Sequence, residues 1–373
     1  MKLIATCAAG IEGILGKELR HLGYEVNVEN GKVSFEGSFN DVIKTNLWLR
    51  TADRIKIELA RFKANTFEEL FENVKEIPWE DWLALDSAFP VNAKSQKSKL
   101  HNVPSIQSIS KKAIVERMNQ IYHRRTKYPE TGSLYPIEVA INKDMAIVML
   151  DTTGSSLFKR GYRVDKGGAP LKENMAAALV LLSNWYPEYP FVDPVCGSGT
   201  IPIEAALFGL NIAPGLKREF AFDKWLQVTP KQILDVKEEA LSAAKTDVDL
   251  DISGYDIDGR MVNIAQVNAK AAGVLDKIKF KQMAVKDFHT DKINGVIIAN
   301  PPYGQRLSDQ NNVRLLYKQM GEVYRPLTSW SKYILTSDLK FEQYYGQTAT
   351  KKRKLYNGAL RTDLFQYWGK RIK

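Results

Sequence analysis

Cysteine and histidine are scarce in this chain. Its 373 residues contain two cysteines, Cys7 and Cys196, and four histidines, His21, His101, His123 and His289. Two thiols far apart in sequence exclude a disulfide framework, and the histidines have no metal-ligand spacing, so no metal is expected. Cys196 has no histidine neighbour to act as its base, so it reads as a small loop residue, not a nucleophile. Thiol scarcity fits a reducing compartment. Long apolar runs are missing too, which argues against a membrane span. The opening MKLIATCAAGIEGILGKEL is interrupted by Glu12 and Lys17 and reads as a strand followed by a helix, unlike a signal peptide. A cytoplasmic protein with no membrane partner is expected.

Positive charge, by contrast, is plentiful. There are 53 Lys and Arg against 43 Asp and Glu, for a net charge of +10. The excess is concentrated in two places. Lys94 to Lys127 holds basic residues with one acid, Glu116, and Lys351 to Lys373 holds basic residues with one acid, Asp363. Local positive fields of this kind attract polyphosphate. Hydrophobic residues make up 44% of the chain, enough for a sizeable core, and the length predicts two or three domains.

Residues 1–63 alternate strand and helix patterns. Leu3 to Ala5 is a strand, Ile11 to Leu22 an amphipathic helix, and Tyr24 to Val28 pairs with Lys32 to Phe35 around Asn30-Gly31, a hairpin signal. Ser38 caps a helix to Leu49, and a strand over Arg54 to Arg61 completes a ferredoxin-like βαββαβ order. A second small α+β unit spans 64–155. In it Thr66 caps one helix and Ser105 a longer one, and a hairpin turns at Asn142-Lys143-Asp144. Lys94, Lys97 and Lys99 follow a strand, and Lys111, Lys112, Arg117, Arg124 and Arg125 share a helix face. Such cations neutralise phosphates and carry little sequence information.

A third unit covers 156–373, with a linker near 156–168 and a helix opened by Pro170 that carries Glu173 in its first turn. Tyr189 to Val192 reads as a buried strand, and an apolar helix follows DPVCGSGT, so Gly197 and Gly199 sit at a strand-to-helix turn that a ligand can approach closely. Further on, a strand over Gly295 to Ala299 runs into Asn300-Pro301-Pro302-Tyr303. Two prolines cannot continue a ladder, so they stiffen a loop carrying an amide and a ring. Strands alternating with helices predict a mostly parallel sheet with ligands at the C-terminal strand ends. Asp193, Asp256 and Asp287 fall at those ends. Trp185, Trp225 and Trp330 read as core or interface residues. A glycine turn and a rigid Asn-Pro-Pro-Tyr loop on one sheet point to group transfer onto the exocyclic amine of a base.

DPVCGSGT and NPPY resemble the cofactor and catalytic motifs of S-adenosylmethionine-dependent amino-methyltransferases. The whole chain resembles the bacterial 23S ribosomal RNA guanine-N2 methyltransferases that carry a THUMP domain. Val195 departs from the aromatic often found in the related motif, which leaves the turn intact. The resemblance implies an α/β fold: a Rossmann-like class I methyltransferase domain preceded by α+β ferredoxin-like and THUMP domains. It implies S-adenosyl-L-methionine as cofactor and RNA as partner, 23S ribosomal RNA or a ribosomal precursor particle. Cys196, Gly197, Gly199 and Thr200 would form the cofactor turn. Asp193 would face the methionine amine, with Glu173 nearby or simply complementing its helix N-terminus. Asp256 would accept from the ribose hydroxyls, and Asp287 from the adenine amine or else cap a turn, with Phe288 as an apolar wall. Asn300 and the Pro301 carbonyl would orient the target amine, and Tyr303 would stack on the extruded base. A tRNA guanine-N2 enzyme, an adenine-N6 enzyme on RNA or DNA, and an inactive RNA-binding relative share these residue arguments.

Overall fold

The computed structural model describes residues 1–123, 127–164, 171–303, 310–358 and 360–372. Arg124, Arg125, Pro170 and the later part of the linker lie outside the described residues. The first half contains β1 (Lys2–Thr6), α1 (Glu12–His21), β2 (Val26–Glu29), β3 (Lys32–Glu36), α2 (Phe39–Trp48) and β4 (Arg54–Lys63). It continues with α3 (Phe67–Lys75), β5 (Val91–Gln96), α4 (Val103–Tyr122), β6 (Ile137–Asn142) and β7 (Met145–Asp151).

Local chemistry sets most of these boundaries. Gly31 takes φ 74° at the β2–β3 hairpin, a left-handed turn conformation that glycine tolerates. Ser38 and Asp41 close a capping box on α2, and Thr66 accepts from the Glu69 N–H at the start of α3. Caps of this sort contribute about 1 kcal/mol each. The start of α4 differs from the expectation. Asn102, not Ser105, is the cap, and its side chain accepts from the Ser105 N–H at 3.0 Å. Pro104 lies in the first turn, where a missing N–H costs nothing, and moves the helix start ahead of Ser105.

The ferredoxin-like and THUMP-like units share one seven-stranded sheet, ordered β2-β3-β1-β4-β7-β6-β5. Ten-residue β4 pairs with β1 on one side and β7 on the other, both antiparallel, with a bulge between Glu58 and Ala60.

The second half holds α5 (Glu173–Leu182), β8 (Phe191–Asp193), α6 (Thr200–Gly209), α7 (Pro230–Ser242), β9 (Ile252–Asp256), α8 (Gly259–Ala272) and β10 (Ile278–Gln282). It ends with β11 (Val296–Ala299), α9 (Gln310–Tyr324), β12 (Ser331–Thr336), α10 (Phe341–Tyr345), β13 (Lys351–Asn357) and β14 (Leu360–Tyr367). The strand order is β10-β9-β8-β11-β12-β14-β13. The first five strands are parallel, and β14 joins β12 antiparallel. The order reverses at β8, so the crevice for a ligand opens at the carboxyl ends of β8, β9 and β11.

Trp185, Trp225 and Trp330 are all buried. Trp225 ties the halves together: its ring stacks on Tyr135 with centroids 4.7 Å apart, and its indole N–H donates to the Leu134 carbonyl at 2.8 Å. Among the described residues no helix is long and apolar enough to cross a membrane.

Candidate active site

Asp193 ends β8 and is 1% exposed, its Oδ1 accepting from the Val195 N–H at 3.1 Å. Burial pushes its carboxyl well above the usual carboxylate range, and the nearby Asp256 adds to the shift. The glycine turn follows. Gly197 has φ 53° and Gly199 φ 81°, but the two glycines are needed for different reasons. A Cβ on Gly197 would meet nothing nearer than the Met261 methyl at 3.8 Å, an ordinary contact, so packing does not require glycine here. A Cβ on Gly199 would lie 2.9 Å from the Ala265 Cβ, so this position lets α6 pack closely on α8. Asp256, at the end of β9, accepts from the Gly197 N–H at 2.9 Å through Oδ2 and from the Asp258 N–H at 2.9 Å through Oδ1. Each oxygen keeps a second lone pair. Asp258 caps α8 through the Arg260 N–H. Cys196 is buried, and burial with the Asp193 and Asp256 carboxylates keeps its thiol protonated.

The stretch before α5 is packed into the domain. Arg160 is 3% exposed and donates to the Leu157 carbonyl at 2.7 Å, and Tyr162 donates to Glu204 at 3.0 Å. Arg163 donates to the Leu171 carbonyl at 2.9 Å and to Thr200 Oγ1 at 3.1 Å, and pairs with Glu173 at 3.2 Å. Burial raises the Glu173 carboxyl, and Arg163 opposes that shift. Asn268 on α8 completes the strap, accepting from the Val164 N–H and donating to the Ser198 carbonyl, both at 3.0 Å. The segment Arg160-Gly161-Tyr162-Arg163 is one that the family resemblance implies helps shape the cofactor pocket, whereas Asn268 did not stand out in the sequence, because its partners are distant along the chain.

Asn300 follows β11. Ile297 pairs with Val192, so the end of β11 lies beside Asp193, and Asn300 projects just past it. The Tyr303 hydroxyl donates to Asn300 Oδ1 at 2.5 Å. Burial raises this hydroxyl above the usual phenol range, and the Asn357 side chain opposes that shift. Pro301 is buried and Pro302 exposed.

Asp287 sits exposed in a short 3-10 turn, Val285–Asp287. Phe288 does not form an open wall: it is 7% exposed and packs edge-on against Tyr324 and Trp330. The apolar surface left open beside Asp256 belongs instead to Ile257, which is 71% exposed.

The basic cluster divides in two. Lys94 pairs with Glu138 at 2.8 Å, Lys111 pairs with Glu130 at 2.7 Å and lies over the Phe89 ring, and Arg117 pairs with Glu80. Lys97, Lys99 and Lys112 are exposed and have no carboxylate partner among the described residues.

A family model described as RMKL-like, methyltransferase domain, matches residues 160–366. The chain belongs to this family. Two further models match ahead of it, the RlmL ferredoxin-like domain over 2–56 and the THUMP domain over 64–151. The chain is 52% identical to YpsC of Bacillus subtilis (strain 168), over 99% of this chain and 96% of that protein. It is 33% identical to the ribosomal RNA large subunit methyltransferase K/L of Syntrophotalea carbinolica, over 98% of this chain and 53% of the relative. The chain therefore spans about half the length of that RMKL-like relative. The crystal structure of SMU.472 complexed with SAH superimposes with a TM-score of 0.95 at 56% identity, covering 100% of this chain and 99% of that one.

Proposed function

We propose that this RMKL-like protein methylates the N2 amine of a guanine in 23S ribosomal RNA. It is an S-adenosylmethionine-dependent methyltransferase, and the site fits that cofactor. Asp193 is a deep carboxylate with one backbone partner, Gly197 is not hemmed in by packing, and Asp256 has spare lone pairs. In this reading Asp193 takes the methionine amine, with Glu173 behind it, Asp256 the ribose hydroxyls and Asp287 the adenine amine. Ile257 covers the adenine face. Cys196, Gly197, Gly199 and Thr200 form the floor. The cofactor supplies a methyl group already activated by its sulfonium.

The observation that carries the reading is the place of Asn300, just past the end of β11, which pairs in parallel with β8. The exocyclic amine of a base is a weak nucleophile because its lone pair is delocalised into the ring. Asn300 Oδ1 and the Pro301 carbonyl accept its two N–H bonds and leave the lone pair aimed at the crevice. Pro302 stiffens this loop. Tyr303 provides the stacking face once its hydroxyl leaves Asn300. Replacing Tyr303 by Phe is therefore expected to keep kcat/KM within about threefold, since stacking survives. Replacing it by Ala lowers kcat/KM by about ten- to hundredfold, matching a stacking contribution of about 1–3 kcal/mol. Steady-state kinetics on RNA check both.

Asp193 also makes a pH prediction. Its raised carboxyl holds a proton at acidic pH, and only the ionised form attracts an ammonium. Affinity for S-adenosylhomocysteine is expected to be lowest at acidic pH and to rise as pH rises through the raised titration of this carboxyl, by at most about tenfold per unit. The Asp193→Asn variant, which cannot ionise, flattens that profile in calorimetry.

RNA as substrate is supported by the THUMP match, the exposed lysines and the words RNA methyltransferase in the YpsC name. The large-subunit target is supported by the names of the K/L relatives. Lys94, Lys97, Lys99, Lys111 and Lys112, with Arg124 and Arg125, form the proposed RNA face. Removing Lys97, Lys99 and Lys112 together is expected to lower the slope of log affinity against log salt by about 2–3. Removing Lys111 alone changes it less, because Glu130 already neutralises that cation. Filter binding across salt concentrations separates the two.

The function is tested with radiolabelled S-adenosylmethionine and total RNA from cells lacking the protein. Label in N2-methylguanosine of 23S RNA supports the reading. Label in tRNA moves the substrate, and label in N6-methyladenosine moves the chemistry.

A further inference from the structure

A cavity of about 500 Å³ lies at the other end of α5 from the active site. Glu173 opens that helix beside the cofactor turn, while Val180 and Leu181 near its end line the cavity, about 10 Å along the axis at 1.5 Å per residue. The opposite wall comes from α1 and the segment after α2, so the space is shared by the first unit and the methyltransferase domain.

Two features mark it as a binding site. The first is Arg50, which lines the cavity and is 6% exposed. Its guanidinium donates no hydrogen bond to any described residue, and its Nη1 is buried without a partner. Its nearest aromatic contact is the Phe208 ring, at 5.8 Å. A buried guanidinium has five N–H donors, and leaving such donors unmet is costly. Glu204 and Glu18 both lie near enough to favour its charged form, but neither hydrogen-bonds it, and Glu18 is engaged elsewhere. Its carboxylate is occupied by the Arg50 and Thr51 backbone N–H groups, at 2.8 and 3.1 Å, and by the Thr51 hydroxyl. Burial lowers the Arg50 guanidinium to about 10, so it remains charged at neutral pH. The second feature is aromatic. Trp48, Trp185, Tyr186 and Phe208 all line the same space, and Tyr186 is 52% exposed. Lys17 adds an exposed cation at the rim. A volume in the range of small-molecule pockets, apolar rings and one convergent buried cation are the usual composition of such a site.

We infer that this cavity binds a planar aromatic anion of the size of a nucleoside monophosphate. The ring lies among Trp48, Tyr186 and Phe208, and the phosphate takes the Arg50 guanidinium in a forked pair, with Lys17 at the mouth. Occupancy joins α1 to α5 and so links the first unit to the helix that begins at the cofactor turn.

The test is calorimetric titration of the whole chain with GMP, the cofactor site being saturated with S-adenosylhomocysteine. Saturable binding of one GMP per chain is expected, weakened at least tenfold by Arg50→Lys and at least fivefold by Lys17→Glu. Asn300→Ala should leave it unchanged. Lys17 is exposed, so its variant folds normally, and unchanged S-adenosylhomocysteine affinity verifies this for both. Guanosine and inorganic phosphate bind more weakly than GMP if ring and anion both contribute. A 5′-phosphorylated tetranucleotide that competes with GMP identifies the ligand as an RNA end, and failure to compete identifies it as a free nucleotide. Absence of saturable GMP binding overturns the inference. So does GMP binding that survives both cavity variants but is lost in Asn300→Ala, which would place it in the active site.

Discussion

Asn300→Ala is expected to lower turnover by about 10²–10³-fold while S-adenosylhomocysteine affinity stays within about twofold. The magnitude is that of removing one preorganised polar group aimed at the reacting centre. The separation of effects comes from the structure. Asn300 sits past the end of β11, its amide oxygen engaged, among the described residues, only by the Tyr303 hydroxyl, while the proposed cofactor-facing carboxylates belong to β8 and β9. Deleting the amide leaves those strands and the glycine turn untouched. Asn300→Asp, which keeps an acceptor oxygen, should retain more activity than the alanine variant. Single-turnover methyl transfer and calorimetric binding are the measurements. Wild-type turnover in Asn300→Ala would remove Asn300 from the chemistry.

Gly199→Ala is expected to cost stability and cofactor affinity together. At φ 81° an alanine is strained by about 1–2 kcal/mol, and its methyl would stand 2.9 Å from the Ala265 Cβ and 3.2 Å from the Ala265 Cα. Backbone and Cβ atoms of a helix cannot swing aside, so α6 and α8 must separate, adding about 1–3 kcal/mol of overpacking. A drop in melting temperature of at least about 5 °C follows. Affinity falls as well, because displacing α6 shifts the Gly197 N–H from Asp256 Oδ2. Gly197→Ala is the contrast: its φ of 53° is strained too, but its Cβ meets only an ordinary contact with the Met261 methyl, so stability falls less and cofactor binding suffers through blockage of the site. Thermal denaturation with and without S-adenosylhomocysteine separates the two glycines. Equal melting temperatures for both variants would contradict the packing role of Gly199.

Local features could be read directly from the chain because their causes are local. Asn30-Gly31 announces a hairpin since the turn needs positive φ, and Asp258 caps α8 since its oxygen reaches an N–H two residues on. Ser105 and Asn102 show the margin of such readings: both residue types cap helices, and Pro104 between them decides which one does. The glycine turn and Asn-Pro-Pro-Tyr loop were legible for the same reason, each being a backbone constraint written in consecutive residues.

Other features depend on residues brought together across the fold. No local pattern says that β4 pairs with β7 and merges two units into one sheet. Nor does a run of lysines reveal that Glu138 and Glu130 neutralise Lys94 and Lys111 while Lys97, Lys99 and Lys112 stay open. Nor does the linker's sequence say that Arg163 meets Glu173 and Thr200. Sequence alone therefore determined the element types, the parallel α/β architecture and the two motifs, because strand period, capping and proline or glycine geometry act over a few residues. Tertiary structure alone decided which charges are free, that Tyr303 covers the Asn300 oxygen, that Phe288 belongs to the core, and that Arg50 lines an aromatic cavity with its Nη1 lacking a hydrogen-bond partner. Hydrogen bonds, ion pairs and burial act over a few ångströms of space, and chain separation does not encode that distance.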